Sequence, residues 1–278
     1  MNAITCMIRA EKMNLTSKKM IRGILASLFG ALMVSCGGCG GGGGGGSSDS
    51  AAKSPSAPAP AKAINIDAEG DSTMAGVQNF VGTFAGASYS FTENGPTAVL
   101  QAELRSTFDN TVTVENRGVG GSSVCQRIIG DPARYKETLA VSLASDKAQI
   151  VIGNWAINDA DSHMSESPSQ YQQCLEQFVD IVRASGKTPV LEEPNPVLGA
   201  VYYPAEPGAY DSLPNYVAIM NAVAQEKGVL LIQQYNFIQS LPNWKSMLTD
   251  GVHPTDALYK IKADREASAL TPLVKSMR

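Results

Sequence analysis

The serine in "EGDSTMAG", residues 69–76, is the first candidate for chemistry in this chain. Ser72 follows a short apolar run and lies between an aspartate and a threonine. Its hydroxyl could attack an acyl carbon if a base removes its proton and hydrogen-bond donors stabilise the resulting oxyanion. Asp, Ser and Thr also cap helix N-termini, so the stretch could simply begin a helix after a turn at Gly70. The rest of the chain must supply the base, its orienting acid and the donors.

The chain has two histidines, His163 and His253. His253 lies in "DGVHPT", three residues after Asp250, where the carboxylate can accept from one ring nitrogen and leave the other free as a base. His163, in "DADSHMSE", lies among carboxylates and could be a metal ligand. Residues 63–278 contain two histidines and no Cys-x-x-Cys pair, and the Asp-x-Asp spacing lacks the rest of a calcium loop; both observations disfavour that alternative. We therefore expect neither a metal nor a cofactor.

Two further segments could supply oxyanion donors. In "NRGVGGSS", Gly121 could bring a backbone N–H close to a substrate, because no Cβ obstructs the approach. In "NWAINDA", Asn158 offers a side-chain amide. A plain glycine-rich turn and an Asx turn are the alternatives for these two segments.

Short β-branched runs alternate with helical patterns from residue 63 onward. The runs are "AINIDA", "TVTVEN", "AQIVIGNW", "KTPVLEE" and "VLLIQQY". Between the third and fourth runs, apolar residues recur at spacings of three and four in a helix that Ser167 or Ser169 can cap and Gly186 can end. This alternation predicts an α/β fold, a three-layer α/β/α sandwich around about five parallel strands. Asn65 and Asp67 are polar for a central strand and leave the register of the first strand open.

The candidate residues follow the ends of predicted strands. Ligands of open parallel sheets bind beyond the carboxyl ends of the strands, so Ser72, Gly121 and Asn158 are expected at one edge of the sheet. Ser72 would also lie at the start of a helix, whose backbone N–H groups favour negative charge.

Four blocks in this order resemble the SGNH or GDSL-type serine hydrolases: "GDST", "NRGVGG", "AINDA" and "DGVHP". The resemblance implies a flavodoxin-like fold, with Ser72 as nucleophile, His253 as base and Asp250 as its orienting acid. It also implies an oxyanion hole formed by the backbone N–H groups of Ser72 and Gly121 and the side chain of Asn158. Two positions depart from the family pattern. Thr73 replaces the usual leucine, and Ala156 replaces a glycine, which is harmless only if its φ is negative.

The first 62 residues have the layout of an exported leader and a tether. Residues 1–35 contain a basic start followed by an apolar run, which is typical of a signal peptide. "MVSC" resembles a lipoprotein box that would make Cys36 the lipidated N-terminus; a signal cut elsewhere or an uncleaved anchor is the alternative. Residues 36–62 are rich in Gly, Ser, Pro and Ala and predict a tether, and residues 63–278 form the predicted hydrolase domain. With Gly37 after the cysteine, we expect an outer-membrane or periplasmic lipoprotein of a Gram-negative bacterium, or else a secreted soluble protein.

The charge of the chain limits the classes of binding partner, and its cysteines allow a disulfide. The formal net charge is −4, with 22 basic and 26 acidic residues, and it becomes more negative without the leader. This balance disfavours nucleic acid or an anionic membrane surface as a partner and leaves the lipid anchor as the only predicted membrane contact. Cys125 and Cys174 are the cysteines of the domain, and export would allow a disulfide between them; two buried thiols are the alternative.

The combined expectation is a serine esterase that acts through an acyl-serine intermediate on short-chain carboxylic esters, with O-acetyl carbohydrates as candidate substrates. An O-acyltransferase with the same three residues, or a catalytically silent carbohydrate-binding lipoprotein, are the alternatives. "EEPNPVLGAVYYPAEPGAYDS", residues 192–212, is long and irregular, and predicts either a pocket wall or a surface loop.

Overall fold

The computed structural model of the chain describes residues 61–81, 88–164 and 166–278. The predicted signal peptide, Cys36 and almost all of the predicted tether lie outside these residues. Within the described residues, no helix combines the length and the apolar character needed to cross a membrane.

The described strands form two sheets. They are β1 (Ile64–Gly70), β2 (Val77–Val81), β3 (Ser88–Phe91), β4 (Val112–Gly118), β5 (Ile150–Asn154), β6 (Thr188–Glu192) and β7 (Leu230–Ile232). β2 and β3 pair as an antiparallel hairpin. The other five strands are parallel, in the order β4-β1-β5-β6-β7. This is the flavodoxin-like strand order, and it confirms the predicted α/β fold.

Helices connect the strands and cover both faces of the main sheet. They are α1 (Ser72–Ala75), α2 (Pro96–Phe108), α3 (Val124–Ile129), α4 (Leu139–Ser145), α5 (Ile157–Ala160), α6 (Pro168–Ala184), α7 (Gly199–Tyr202), α8 (Leu213–Lys227), α9 (Tyr235–Ser240) and α10 (Asp256–Met277), with 3₁₀ turns at Asp109–Thr111 and Trp244–Met247. α3, α4, α6 and α8 contribute to one core, which includes Val151 and Leu191 of the sheet. α2 and α10 contribute to the other, which includes Ile150, Ile152 and Val190. Neighbouring residues of one strand therefore face opposite layers.

Local capping follows the sequence signals. Ser167, rather than Ser169, caps α6, and its side chain accepts from the backbone N–H of Gln170 in a capping box. The helix ends at Ala184, two residues before the predicted glycine. α8 closes on Gly228, whose left-handed conformation (φ 59°) ends the helix.

The buried polar residue in the middle of β1, Asp67, belongs to an ionic cluster that extends to the surface. Asp67 lies within 4.8 Å of Glu115 and Asp146, and Arg117 forms ion pairs with all three carboxylates. Lys187 Nζ also lies 3.7 Å from Asp146. Burial, and then repulsion from Asp146, raises the pKa of Asp67 to about 7. The sequence left the register of this strand open, and these partners explain how it accepts a carboxyl group.

A disulfide joins Cys125 in α3 to Cys174 in α6, as predicted, with Cα atoms 5.2 Å apart. It closes a loop with a sequence separation of 49 residues, for which the loss of unfolded-chain entropy corresponds to about 4 kcal/mol of stabilisation. α3 follows the glycine-rich segment that contains Gly121, so the bond helps to hold that segment on the sheet.

Candidate active site

Ser72 lies at the carboxyl end of β1 and is the first residue of α1. The cap of this helix is Asp71, whose side chain accepts from the backbone N–H of Thr73 at 2.8 Å. Burial raises the pKa of Asp71, although the hydrogen bonds from Thr73 oppose this effect. Because Asp71 performs the capping, the Ser72 hydroxyl is available for another contact.

That contact is with His253. The Nε2 atom of His253 lies 2.9 Å from Ser72 Oγ, and its Nδ1 atom lies 2.6 Å from Asp250 Oδ2. The histidine is 3% exposed, which shields the contact from water. The structure thus brings together the three residues that the sequence predicts as nucleophile, base and orienting acid.

The loop around Asp250 is built to hold this carboxylate. Its Oδ1 atom accepts from the backbone N–H groups of Val252 and His253, at 3.0 and 2.9 Å. Its Oδ2 atom also accepts from the N–H of Phe80, in β2, at 3.0 Å. Burial raises the pKa of Asp250, but these hydrogen bonds, led by the one from the His253 side chain, outweigh burial and leave the pKa below its ordinary value. Asp250 therefore stays ionised beside the imidazole.

Gly121 and Asn158 border the same cavity as Ser72 and His253. Gly121 has a φ of 68°, a conformation that favours glycine. Asn158 Nδ2 donates to the backbone carbonyl of Ser122 at 3.0 Å, and this bond uses one of the two hydrogens of the amide. The residues predicted to supply oxyanion donors therefore line the cavity that Ser72 borders.

Asp159 holds the two donor segments together. Its Oδ1 atom accepts from the backbone N–H of Val124 at 3.0 Å, and so joins the start of α3 to α5. Burial, and then the charge of Glu166, raises the pKa of Asp159 well above its ordinary value. The Asn-Asp pair thus has a long-range role in addition to its local turn.

Ala156 has a φ of 148°, contrary to the sequence expectation that an alanine here requires a negative φ. Ala156 immediately precedes α5, two residues before Asn158, and its side chain is fully buried. A non-glycine residue in this region stores backbone strain of about 1–3 kcal/mol. A glycine at this position would adopt this conformation without that strain.

The cavity is small and mostly aromatic. It encloses about 120 Å³, well below the roughly 300 Å³ at which pockets for drug-sized ligands begin. Phe80 and Tyr89 of the β2–β3 hairpin line it. Tyr202 and Tyr203 also line it, and the ring of Tyr202 lies 5.9 Å from that of Phe80 and 6.1 Å from that of His253, between centroids. The irregular segment of residues 192–212 is therefore a pocket wall.

Asp161 organises that wall. Its Oδ2 atom accepts from the hydroxyls of Tyr203 and Tyr210, each at 3.2 Å, and its Oδ1 atom lies 2.6 Å from His163 Nδ1. His163 also lies 2.9 Å from Glu206 Oε2. The hydrogen bond that His163 donates to Asp161 raises the pKa of His163. His163 is thus engaged by two carboxylates and does not contact Ser72.

Two other features could suggest binding sites. The cluster of Asp67, Glu115 and Asp146 is the one group of three possible metal ligands found among the described residues, but Arg117 pairs with all three carboxylates. A groove of 610 Å³ lies at the opposite edge of the sheet, where β6 and β7 begin, away from Ser72.

Sequence reasoning missed several residues of the site. Phe80 supplies a backbone donor to Asp250, and no sequence pattern marks that contact. Arg134 borders the cavity, although the sequence presents it only as one charge in a polar loop.

The solved structures that resemble this chain include a lipase/acylhydrolase from Enterococcus faecalis, with a TM-score of 0.59 and 16% identity over 76% of this chain and 96% of that one. Est24, a carbohydrate acetylesterase from Sinorhizobium meliloti, has a TM-score of 0.59 and 16% identity over 76% and 99% of the two chains. An aryl esterase from M. smegmatis has a TM-score of 0.58 and 19% identity over 76% and 100%. At these identities the resemblance shows a common fold.

A search of curated proteins gives no significant match. The model of the GDSL-like Lipase/Acylhydrolase family matches residues 68–261. This range begins within β1, continues through the loop of His253 and ends within α10, and so includes Ser72, Gly121, Asn158 and His253. The chain belongs to the GDSL-like lipase/acylhydrolase family.

Proposed function

We propose that this protein is a serine esterase that hydrolyses short-chain carboxylic esters through an acyl-serine intermediate. The observation that carries the proposal is the hydrogen-bonded series Ser72–His253–Asp250, with separations of 2.9 and 2.6 Å. The membership of the GDSL-like family supports a hydrolase. The assignment of roles to individual residues rests on the geometry.

In the proposed first half-reaction, His253 Nε2 takes the proton of Ser72 while Oγ attacks the ester carbonyl. Asp250 holds the Nδ1–H tautomer and stabilises the imidazolium, without itself becoming protonated. The imidazolium then gives its proton to the leaving alcohol, and the acyl group remains on Ser72. In the second half-reaction, His253 activates water, which attacks the acyl-serine and releases the acid.

The negative charge that forms on the carbonyl oxygen requires preorganised donors. We assign this task to the backbone N–H groups of Ser72 and Gly121 and to the free amide hydrogen of Asn158. Loss of one such donor typically lowers kcat by about 10²- to 10³-fold.

Two observations support a short acyl group and a sugar alcohol. A cavity of 120 Å³ limits the size of the group that it can enclose. Its tyrosines offer flat apolar faces with polar edges, which suit a ring that carries hydroxyls. A structure of the same fold is a carbohydrate acetylesterase, and we propose O-acetyl carbohydrates as the substrate class on these grounds together.

Labelling with a fluorophosphonate probe tests the nucleophile. Peptide mapping should locate the adduct on Ser72, and p-nitrophenyl acetate should be hydrolysed faster than the decanoate. Ser106→Ala is the matched control, because Ser106 is exposed on α2 and bonds only to its own helix. Labelling of another serine, or an unlabelled protein, would contradict the proposal. Acyl transfer to a sugar in preference to water would favour the acyltransferase alternative.

We also propose that the enzyme is exported and anchored by a lipid on Cys36, on the basis of the "MVSC" segment and the adjoining glycine-rich tether. Metabolic labelling with a tagged fatty acid tests this. Incorporation should disappear in Cys36→Ala and persist in Cys39→Ala, which removes the neighbouring cysteine. Equal incorporation into wild type and Cys36→Ala would refute the anchor.

A further inference from the structure

A cationic side chain borders the cavity beside the proposed oxyanion hole. Arg134 lies in the loop after α3, and its Nη1 atom donates to the backbone carbonyl of Gly120 at 2.6 Å. The guanidinium packs directly on Gly121, where a Cβ atom would lie 3.0 Å from Nη2 and 3.1 Å from Nη1. The absence of a side chain at Gly121 therefore allows the guanidinium to reach this position.

Within the described residues Arg134 has no ion pair. Asp131, three residues earlier, uses Oδ1 for the N–H of Ala133 and Oδ2 for the amide of Gln126, both at 3.0 Å. The Nε atom of Arg134 is buried and has no hydrogen-bond partner in that part of the chain. A guanidinium has five N–H donors, and an unsatisfied buried donor costs about 1–3 kcal/mol.

The other charged groups that line the cavity have partners within the protein. Asp161 and His163 face each other at 2.6 Å, and His163 also meets Glu206. His253 faces Asp250. Arg134 is thus the exception among the charged groups described at this cavity, and it is the one whose charge a ligand could satisfy.

We propose that Arg134 binds a carboxylate of the substrate, so that the site prefers esters that carry a carboxylate near the scissile bond. Arginine binds carboxylates through paired N–H donors, and such charge-assisted bonds are stronger than neutral ones. The surrounding aromatic walls lower the local dielectric and strengthen the attraction further. This inference rests on the proposed esterase function, and it narrows the substrate class to acidic esters.

The test compares esters that differ only in carboxylate against carboxamide. One series contains acetyl esters of ω-hydroxy acids, from glycolate to 6-hydroxyhexanoate, with the charge on the alcohol part. The second contains monomethyl esters of dicarboxylic acids, with the charge on the acyl part. In at least one matched pair we expect wild type to favour the carboxylate by about tenfold or more in kcat/KM, since a charged hydrogen bond is worth about 1.5–3 kcal/mol.

Arg134→Gln should abolish this preference, mainly through KM of the carboxylate ester, and Arg134→Lys should keep part of it. Arg265→Gln is the matched control, because Arg265 also donates to a backbone carbonyl but lies on α10 outside the cavity. The proposal fails if wild type shows no preference in either series. It also fails if Arg134→Gln lowers kcat/KM equally for carboxylate and carboxamide esters. That result would mean that Arg134 stabilises the oxyanion or the loop rather than a substrate carboxylate.

These outcomes are separable from a failure of the esterase proposal itself. Loss of the carboxylate preference in a protein whose Ser72 still reacts with fluorophosphonate concerns Arg134 alone. A wild-type protein that neither reacts with the probe nor hydrolyses any ester would refute the proposed function instead. A thermal melt followed by circular dichroism establishes that each variant is folded.

Discussion

The Nε2 atom of His253 lies 2.9 Å from the Oγ atom of Ser72, although 181 residues separate the two in the chain. Ser72 is placed by the end of β1, and the loop of His253 is closed by a bridge between Leu248 and Pro254 before α10 begins. A base and a hydroxyl at this distance can exchange a proton without rearrangement. The two residues should therefore act as a unit.

Ser72→Ala and His253→Ala should each lower kcat for p-nitrophenyl acetate by several orders of magnitude, roughly 10³- to 10⁶-fold, and the double variant should lose little more. Wild-type activity should fall toward acid pH, because a protonated imidazole cannot accept the serine proton. The residual activity of His253→Ala should lack this fall, because the variant has no imidazole at this position. A Ser72→Ala variant that folds and keeps wild-type hydrolysis would refute the nucleophile assignment.

Asn158→Ala should lower kcat by about 10²- to 10³-fold with KM nearly unchanged, because the amide is needed mainly when the oxyanion forms. Steady-state kinetics on p-nitrophenyl acetate measures both constants. Asn65→Ala is the control, since that amide donates to Lys147 at the other end of the sheet. A rise in KM with an unchanged kcat would instead indicate that Asn158 binds the ground state of the ester.

The sequence predicted the residues that follow strand ends, because strand runs and their polar ends are local signals. Ser72, Gly121 and Asn158 lie within four residues of the ends of β1, β4 and β5, and parallel strands bring such positions to one edge. Asp250 and His253 are close in sequence, so their pairing is also local. The disulfide could be predicted because Cys125 and Cys174 are the two cysteines of residues 63–278.

The missed features depend on long-range packing. The contact of Arg134 with Gly121 arises from the path of a loop, and the bond from Phe80 to Asp250 arises from the docking of a hairpin. Hydrophobic periodicity in the sequence predicts neither the path of the loop nor the docking of the hairpin. The positive φ of Ala156 is likewise imposed by its surroundings against the preference of the residue itself.

Asp67 should make stability depend on pH in a particular direction. Its pKa is about 7 in the folded protein and near 3.8 in the unfolded chain, so the folded state binds one more proton between those values. The contribution of Asp67 to the free energy of unfolding is therefore largest at low pH, and it is lost as the pH rises from about 4 through about 7. The slope is at most about 1.4 kcal/mol per pH unit, because the folded and unfolded states differ by at most one proton at this group.

Asp67→Asn removes this proton equilibrium. Urea unfolding at a series of pH values should show the variant gaining stability relative to wild type between pH 5 and pH 8. Asp180→Asn is the control, because that carboxylate pairs with Lys227 at an exposed site. A difference between Asp67→Asn and wild type that stays constant across this range would show that Asp67 does not titrate there.

Ala156→Gly tests the strain beside the oxyanion segment. Release of the strained φ should recover about 1–3 kcal/mol. Against this, the substitution removes a buried methyl, worth about 0.8 kcal/mol, and adds unfolded-chain entropy, worth about 0.4–1 kcal/mol. The terms nearly cancel, so the free energy of unfolding should change little.

Ala263→Gly is the matched comparison, because Ala263 is equally buried but lies within α10, where its backbone is unstrained. There the substitution gains nothing from strain and adds a helix-propensity cost of about 1 kcal/mol to the lost methyl. In urea unfolding, Ala263→Gly should therefore be more destabilising than Ala156→Gly by about 1–3 kcal/mol. Equal losses at the two positions would mean that Ala156 stores no strain, and that the alanine costs the chain nothing relative to the family's usual glycine.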